Sequence, residues 1–378
     1  MPIMTTVGRA LFRVAALAAA LGAGLGAASA DEAVEANLEL IKLPPGFKIA
    51  IYAEVPNARS MALGKPMGVL FVGTRHESVY AAIDRNKDRV AEEVVEVMTD
   101  MHVPNGLAFH AGFLYVAEQN RIGMYAAPEF DIYQQFRIAT IYEGLPDEFL
   151  HGWRSLAIGP DNKLYVAVGS PCNICDVSDP AGTIMRMNLD GSDAEVFARG
   201  VRNSVGLDFH PKTGELFFTD NGGDGMGDDV PADELNQAPK AGMFFGFPYY
   251  AGGASPSPGY EDKTPPAEVT MPVIEFGPHH AALGIHFYRG KMFPAEYRGD
   301  AFVAQHGSWN RSEAAGYRIM RIRFDDQGKA VGKEVFAEGW LQGEEAWGRP
   351  VDIRELGDGS LLVSDDYAGM VYRISSGG

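Results

Sequence analysis

Between residues 200 and 225 the chain reads GVRNSVGLDFHPKTGELFFTDNGGDG, which sets a guanidinium (Arg202), an amide (Asn203) and an oxygen-rich glycine loop (Asn221, Gly222, Gly223) close together. A guanidinium and an amide can hold an anionic ligand, and glycines let backbone carbonyls turn towards a metal ion. The same residues would also make a charged turn in an ordinary β-meander. Other residues fit for chemistry stand beside short apolar segments in the same way: His151 before SLAI, Arg202-Asn203 before GLDF, Asn221-Gly222-Gly223 after ELFFTD, His306 after DAFVAQ and Arg349 before VDIR. Together they offer a base, two guanidinium groups and a carbonyl-rich loop, the equipment for taking a proton beside a bound anion and metal ion. They can cooperate only if the segments that carry them converge.

Those segments recur along the chain. VLFVGT (69–74), FLYVAE (113–118), KLYVAV (163–168), ELFFTD (215–220), DAFVAQ (300–305) and SLLVSD (360–365) share one form. Each follows another strand-like segment: RSMAL, GLAF, SLAI, GLDF, GIHF and VDIR, often across a turn such as GPDNK or HPKTG. Several lead into a third, among them SVYAAI, TIMRMNL and RIMRIRF. Strand triplets at blade-sized intervals, almost without amphipathic helical patterns, predict an all-β fold, a six-bladed β-propeller. A β-sandwich predicts no such recurring pair. The wider gap before the fifth repeat, rich in Pro and Gly, predicts inserted loops at about 221–281 in a single domain spanning 31–378. In such a fold the residues above share one end only if the repeat is read correctly.

Arg9 and Arg13 precede an Ala/Gly/Leu run, and Ala28-Ser29-Ala30 fits a small-residue cleavage site, so residues 1–30 read as a secretory signal peptide cut before Asp31. An uncleaved anchor is the alternative, against which the run is short and broken by glycines. The expectation is a periplasmic or secreted protein with no integral membrane association after cleavage. Without Arg9 and Arg13 the chain keeps 30 basic against 50 acidic residues, a net of −20, which would repel phosphate backbones and excludes nucleic acid as a natural partner. Cys172 and Cys175, in PCNICD, lack the following His of a haem-attachment motif and have no second ligand pair for zinc. A disulfide that stiffens the loop is the expectation in an oxidising compartment. The acidic stretch DRNKDRVAEE, from Asp84, has Asp-x-Asn-x-Asp spacing but lacks the glycine and glutamate of an EF-hand loop, and reads as a solvated turn.

HGWRSLAIGPDNKLYVAVG, GVRNSVGLDFHPKTGELFFTDNGG, DELN, FGFP, AQHGSWNR and GRPVDI with LLVSDDYAG, taken in order, resemble the soluble glucose/sorbosone dehydrogenase family, from LPPGF at 43 to YRIS at 372. PCNIC, AQHGSWNR and GWLQG place the resemblance nearest its sorbosone branch. It implies a propeller using pyrroloquinoline quinone (PQQ) and calcium (Ca2+) to oxidise a sugar or sugar aldehyde. By resemblance, His151 is the catalytic base, Arg202 and Asn203 meet PQQ, with Arg202 stabilising negative charge on the reduced quinone, and Arg349 meets a PQQ carboxylate. Asn221 and His306 stand at cofactor-facing strand ends, and the carbonyls of Gly222 and Gly223 take the calcium.

The chain departs from the glucose branch at four places. Val351 stands where that branch has a second arginine, and a lysine near AQHGSWNR has no counterpart, which leaves Arg311 and Arg318 as candidate replacements. Ser170 replaces an aspartate that orients the histidine, and Gly-Gly replaces Gly-Pro in the calcium loop. Of Asp224, Asp228, Asp229, Asp233 and Glu234, most are expected to solvate that loop. No dinucleotide, flavin or haem motif is evident, so electrons would leave to an external acceptor, a quinone or a cytochrome. Two other readings remain open on the residues: a calcium-dependent propeller lactonase, and a non-catalytic binding propeller.

Overall fold

The structure, a computed structural model, describes residues 35, 37–65 and 67–377; the expected signal peptide lies outside the described residues. All six recurring segments form the second strand of an antiparallel sheet, and the segment before each forms the first. The sheets are six blades. Blade one holds Met61–Leu63, Leu70–Val72, Val79–Ile83 and Glu93–Met98; blade two Gly106–His110, Phe113–Ala117, Ile122–Ala126 and Ala139–Tyr142. Blade three holds Ser155–Ile158, Lys163–Val168, Thr183–Asn188 and Glu195–Arg199; blade four Gly206–Phe209, Leu216–Asp220, Ala232–Ala238 and Ile274–Pro278. Blade five holds Ala282–Phe287, Ala301–Gln305, Arg318–Phe324 and Ala330–Glu338. Blade six holds Pro350–Glu355, Leu361–Asp365 and Met370–Ser376, and its outer strand is Phe47–Glu54 from the other end of the chain, antiparallel to Met370–Ser376. First strands touch first strands all round the ring, blade six against blade one included.

The strands read as unbroken apolar runs because both faces are buried. Alternate side chains serve opposite neighbours: Leu216 and Phe218 pack with blade three, while Phe217 between them packs with blade five. Six hydrophobic clusters result, one at each blade interface. Near the axis the backbones come too close for side chains: a Cβ at Gly106 would lie 2.4 Å from the Arg154 carbonyl oxygen, and one at Gly206 2.2 Å from that of Leu283.

The hairpin geometry decides where chemistry can gather. In each blade the start of the first strand pairs with the end of the second, as Gly206 with Thr219, Ser155 with Ala167 and Ala282 with Gln305. Residues just before a first strand and just after a second strand therefore share one end of the ring. The stretch 221–281 is less of an insert than its length suggests. It contains two of blade four's own strands, and the added chain is 239–273, which adds Met243–Phe244 as a fifth, parallel strand to blade three and forms a small hairpin from Tyr250–Gly252 and Ser255–Pro256.

Candidate active site

At that end lies a cavity of about 260 Å3. His151, Arg202, Asn203, Asn221, Gly222 and His306 all line it, from blades three, four and five. So do Arg59 and Arg75 of blade one, Trp153, His279, Trp309 and Asn310.

His151 is buried and sits at φ 54°, a backbone conformation that a residue with a Cβ adopts only when its surroundings hold it there. Arg154, itself buried, supplies part of that hold: its Nη1 donates to the His151 carbonyl at 3.0 Å, while its Nε and Nη2 donate to the carbonyls of Gln119 and Pro146. On the ring, Nδ1 lies 2.9 Å from the Ser170 carbonyl oxygen and 3.2 Å from Ser170 Oγ. The hydroxyl gives its own hydrogen to the Cys172 carbonyl at 2.7 Å, so both neighbours of Nδ1 are acceptors. The proton therefore resides on Nδ1, and Nε2 carries the lone pair. Burial, then the charge of Arg202, hold the imidazole well below its ordinary value, at about 3, so it is neutral across the physiological range. Ser170 thus orients the ring through its backbone carbonyl, without the negative charge that an aspartate would bring.

Arg202 and Asn203 are fixed by Asp220, at the end of a blade-four strand, whose carboxylate accepts both their backbone N–H groups at 2.8 and 2.5 Å. The Arg202 guanidinium donates to the Asn221 carbonyl at 3.0 Å, to the Asn173 carbonyl at 2.9 Å and side-chain oxygen at 2.8 Å, and to Asp224 at 2.9 Å. His306 lies 2.7 Å from Asp366, which also receives Arg59 Nη1 at 2.7 Å. Burial lowers His306 to about 4 against the pull of Asp366, and although burial alone would raise Asp366, His306 and Arg59 hold it far below the usual carboxylate range.

Arg75 has no hydrogen bond and no carboxylate partner among the described residues; its guanidinium lies over the Trp153 ring, 4.2 Å from the centroid. The residue as a whole is exposed, but partial desolvation of the guanidinium against Trp153, then the charge of Arg59, push it down to about 10, with Asp366 opposing and Arg349 adding to the push. An exposed guanidinium with no ion-pair partner, at a cavity that Arg59 and Arg202 also line, is free to meet an anion, so this corner of the cavity suits one.

The loop after Asp220 is equally unfinished. Gly222 N–H donates to Asp233 and Gly223 N–H to the Ala251 carbonyl, but the carbonyl oxygens of Gly222 and Gly223 accept no hydrogen bond among the described residues, though both residues are buried. The amide oxygens of Asn203, Asn221 and Asn310 are also buried without a partner. Buried oxygens left over in this way are what a hard cation, or a donor on a ligand, satisfies. Among the described residues no group of three or more His, Cys, Asp or Glu side chains could hold a metal, so a calcium here would rest chiefly on main-chain and amide oxygens and on its ligand partner, with Asp224 and Asp233 also lining the cavity.

Arg311, Arg349 and Gly223 do not line the cavity, Gly223 standing next to Gly222 against Ala251 and Ile174. Arg311 donates to the carbonyls of Asp228, Pro278 and Glu313, and Arg349 to those of His306 and Gly307. Arg318 is held by Gln305 and His280. Val351 packs with Val205 and Leu283 beneath the cavity. The acidic loop residues differ from expectation: Asp224 is paired to Arg202, and Asp233 and Glu234 are buried, where their carboxylates accept backbone N–H groups of Gly222, Ala281 and Gly253. Arg59 and Arg75 were legible in principle. Arg59 precedes a first strand as Arg202 does, and Arg75 follows a second strand as Asn221 and His306 do.

Residues 134–373 match the family model Glucose / Sorbosone dehydrogenase. A Borreliella burgdorferi protein described as uncharacterized is 33% identical over 362 residues, covering 90% of this chain and 92% of its own. Among solved structures, the PQQ domain of Coprinopsis cinerea pyranose dehydrogenase in its holo form is similar at TM-score 0.72 and 18% identity, over 89% of this chain and 97% of its own. The calcium structure of a Trichoderma reesei carbohydrate-active enzyme of family AA12 aligns at TM-score 0.76 and 19% identity, over 89% and 97%. PQQ-bound aldose sugar dehydrogenase from Streptomyces coelicolor aligns at TM-score 0.63 and 20% identity, over 88% and 99%.

Proposed function

Since this chain belongs to the glucose/sorbosone dehydrogenase family, we propose that it oxidises a sugar or sugar aldehyde of the sorbosone or aldose kind, with PQQ and calcium in the cavity above the ring. The observation that carries the reading is the convergence of Arg59, Arg75 and Arg202 on the cavity that also holds His151, with Arg75 unpaired. PQQ carries three carboxylates, and in a protein of net charge −18 only a dedicated cationic pocket would accept it. A lactonase would have no use for such a pocket.

The residues present fit both groups. Arg75, Arg59 and Arg202 would meet carboxylate and quinone oxygens, with Asn203 and Asn221 beside them and Arg349 holding His306 and Gly307 in place from behind. The carbonyls of Gly222 and Gly223 would face calcium. When bound, PQQ supplies a two-electron acceptor and calcium a Lewis acid beside it. The chain itself supplies the base. His151 Nε2, unprotonated and facing the cavity, takes the proton of the substrate hydroxyl, and Nδ1 stays anchored on Ser170 so that the ring cannot turn away. Arg202 is immobilised by six hydrogen-bond contacts to its backbone and side chain, so its charge is already in place when negative charge develops near it. The exported location, the signal at residues 1–30 and an external quinone or cytochrome acceptor belong to the same proposal. Among the described residues no helix is long and apolar enough to cross a membrane.

Purified apoprotein mixed with PQQ and calcium is expected to shift the quinone absorbance and to reduce a dye in the presence of sugar. His151→Ala should lower dye reduction by about 10²–10⁴-fold, the usual range for a lost general base, while still binding PQQ. Unchanged turnover in that variant removes His151 from the mechanism, and no sugar-dependent reduction in the parent protein removes the oxidation itself.

A further inference from the structure

The disulfide loop gathers contacts from the His151, Arg202 and Gly222–Asp224 parts of the site. Cys172 and Cys175 are joined, closing a four-residue loop whose centre is Asn173-Ile174. On one side Ser170, which anchors His151 Nδ1, donates its hydroxyl hydrogen to the Cys172 carbonyl, and its backbone N–H donates to the Arg202 carbonyl at 2.8 Å. At the centre Asn173 makes four hydrogen bonds to Arg202 and Asp224. Its main-chain carbonyl accepts Arg202 Nε at 2.9 Å, and its side-chain oxygen accepts both Arg202 Nη2 and the Asp224 backbone N–H at 2.8 Å. Its amide donates to the Asp224 carbonyl at 2.9 Å. Ile174 Cδ1 reaches to within 3.4 Å of where a Gly223 Cβ would be. Arg202 and Asp224 close the figure with their own ion pair at 2.9 Å.

We propose that Asn173 is a positioning residue, held in place by the Cys172–Cys175 disulfide, that clasps Arg202 to the Gly222–Asp224 loop and so sets the distance between the site's guanidinium and its cation-facing carbonyls. The chemistry requires an asparagine. Aspartate keeps both acceptors but cannot donate to the Asp224 carbonyl and adds negative charge beside Asp224; alanine loses every side-chain bond; glutamine carries its amide one carbon too far out. The disulfide matters because Asn173 is only half-buried and makes its bonds from a loop, where chain entropy would otherwise favour release. The idea rests on the reading of the cavity as a PQQ and calcium site for its functional consequence, but the clasp itself can be tested without either ligand.

Two measurements on the full-length protein separate these levels. Hydrogen exchange of the ligand-free protein reads the clasp: Asn173→Ala, and separately the double variant Cys172→Ser with Cys175→Ser, should speed exchange at least tenfold in segments covering 200–205 and 221–226, with blades one and six unchanged. Titration with PQQ at fixed calcium, followed by quinone absorbance, reads the consequence. Both variants should weaken binding tenfold or more, and Asn173→Asp should fall between them and the parent, because it retains the acceptors. A loop that merely stabilised the fold would raise exchange broadly across blades three and four and leave the binding curve of the folded fraction unmoved, and that result overturns the proposal. So does unchanged exchange at 200–205 and 221–226. Should the parent protein bind no PQQ while the two segments loosen as stated, the clasp is upheld and the cofactor reading is what fails.

Discussion

At the scale of single residues, the imidazole of His151 is tuned by what its neighbours lack. Ser170 offers Nδ1 a carbonyl and a hydroxyl oxygen but no negative charge, and burial beside Arg202 leaves the ring neutral down to about pH 3. The acid limb that this group imposes on kcat/KM should accordingly lie well below 6.5, and a pH–rate profile from pH 3.5 to 8 checks it. Ser170→Asp would place a carboxylate against Nδ1 and favour the charged ring, so the limb should move up by about one unit or more. An unmoved limb would mean that another group sets it. His151, Arg202, Asn203, Asn221, Gly222 and His306 were all legible as residue types at fixed places in the repeat. Arg75 was not singled out, because an arginine on a turn looks like any other solvated one; it is exposed, and only the ring sets Trp153 beneath it and Arg59 beside it.

Elements carry a different cost, concentrated in blade four. Asp220, Asp233 and Glu234 are buried together, each accepting backbone N–H groups of the loops that build the site. Burial raises Asp220 and Asp233 to about 6, and burial with the charge of Asp220 raises Glu234 to about 8. A carboxyl with a raised folded value binds more protons folded than unfolded, so its contribution to stability is full below its unfolded value, near 4.5 for Glu234, and is lost as pH climbs through about 8. Glu234→Gln mimics the protonated form. In calcium-free protein it should match the parent near pH 4.5 and exceed it by at least about 1 kcal/mol at pH 8, roughly 2 °C in melting temperature at this size. Melting curves at the two pH values decide it, and a gain independent of pH would argue against the titration. Nothing in the sequence marks these three as buried. DELN looks like loop chemistry until Ala232–Ala238 is seen between two blade strands.

The whole molecule is a ring closed by strand pairing. Phe47–Glu54 supplies the outer edge of blade six, and Tyr52 and Ala53 fill the cluster shared by blades six and one. Deleting residues 1–54 would expose the edge of Met370–Ser376 and open that cluster, inviting edge-to-edge association. The shortened chain should lose most of its soluble yield, and whatever remains should melt at least about 10 °C lower, as scanning calorimetry would show. An unchanged transition would mean that the ring does not depend on this closure.

The sequence alone determined the blade count, the first and second strand of every blade and the end of the ring where polar residues collect, because burial on both strand faces and a hairpin turn leave an unmistakable period in apolar residues. It did not contain the outer strand taken from the far end of the chain, the true extent of the insert at 239–273, the withdrawal of Arg311 and Arg349 from the cavity lining or the burial of Asp233 and Glu234. Those depend on contacts between residues far apart in the chain, whose energies local patterns do not record. Only the closed ring decides which of the guanidinium groups lining the cavity is, among the described residues, left without an ion-pair partner.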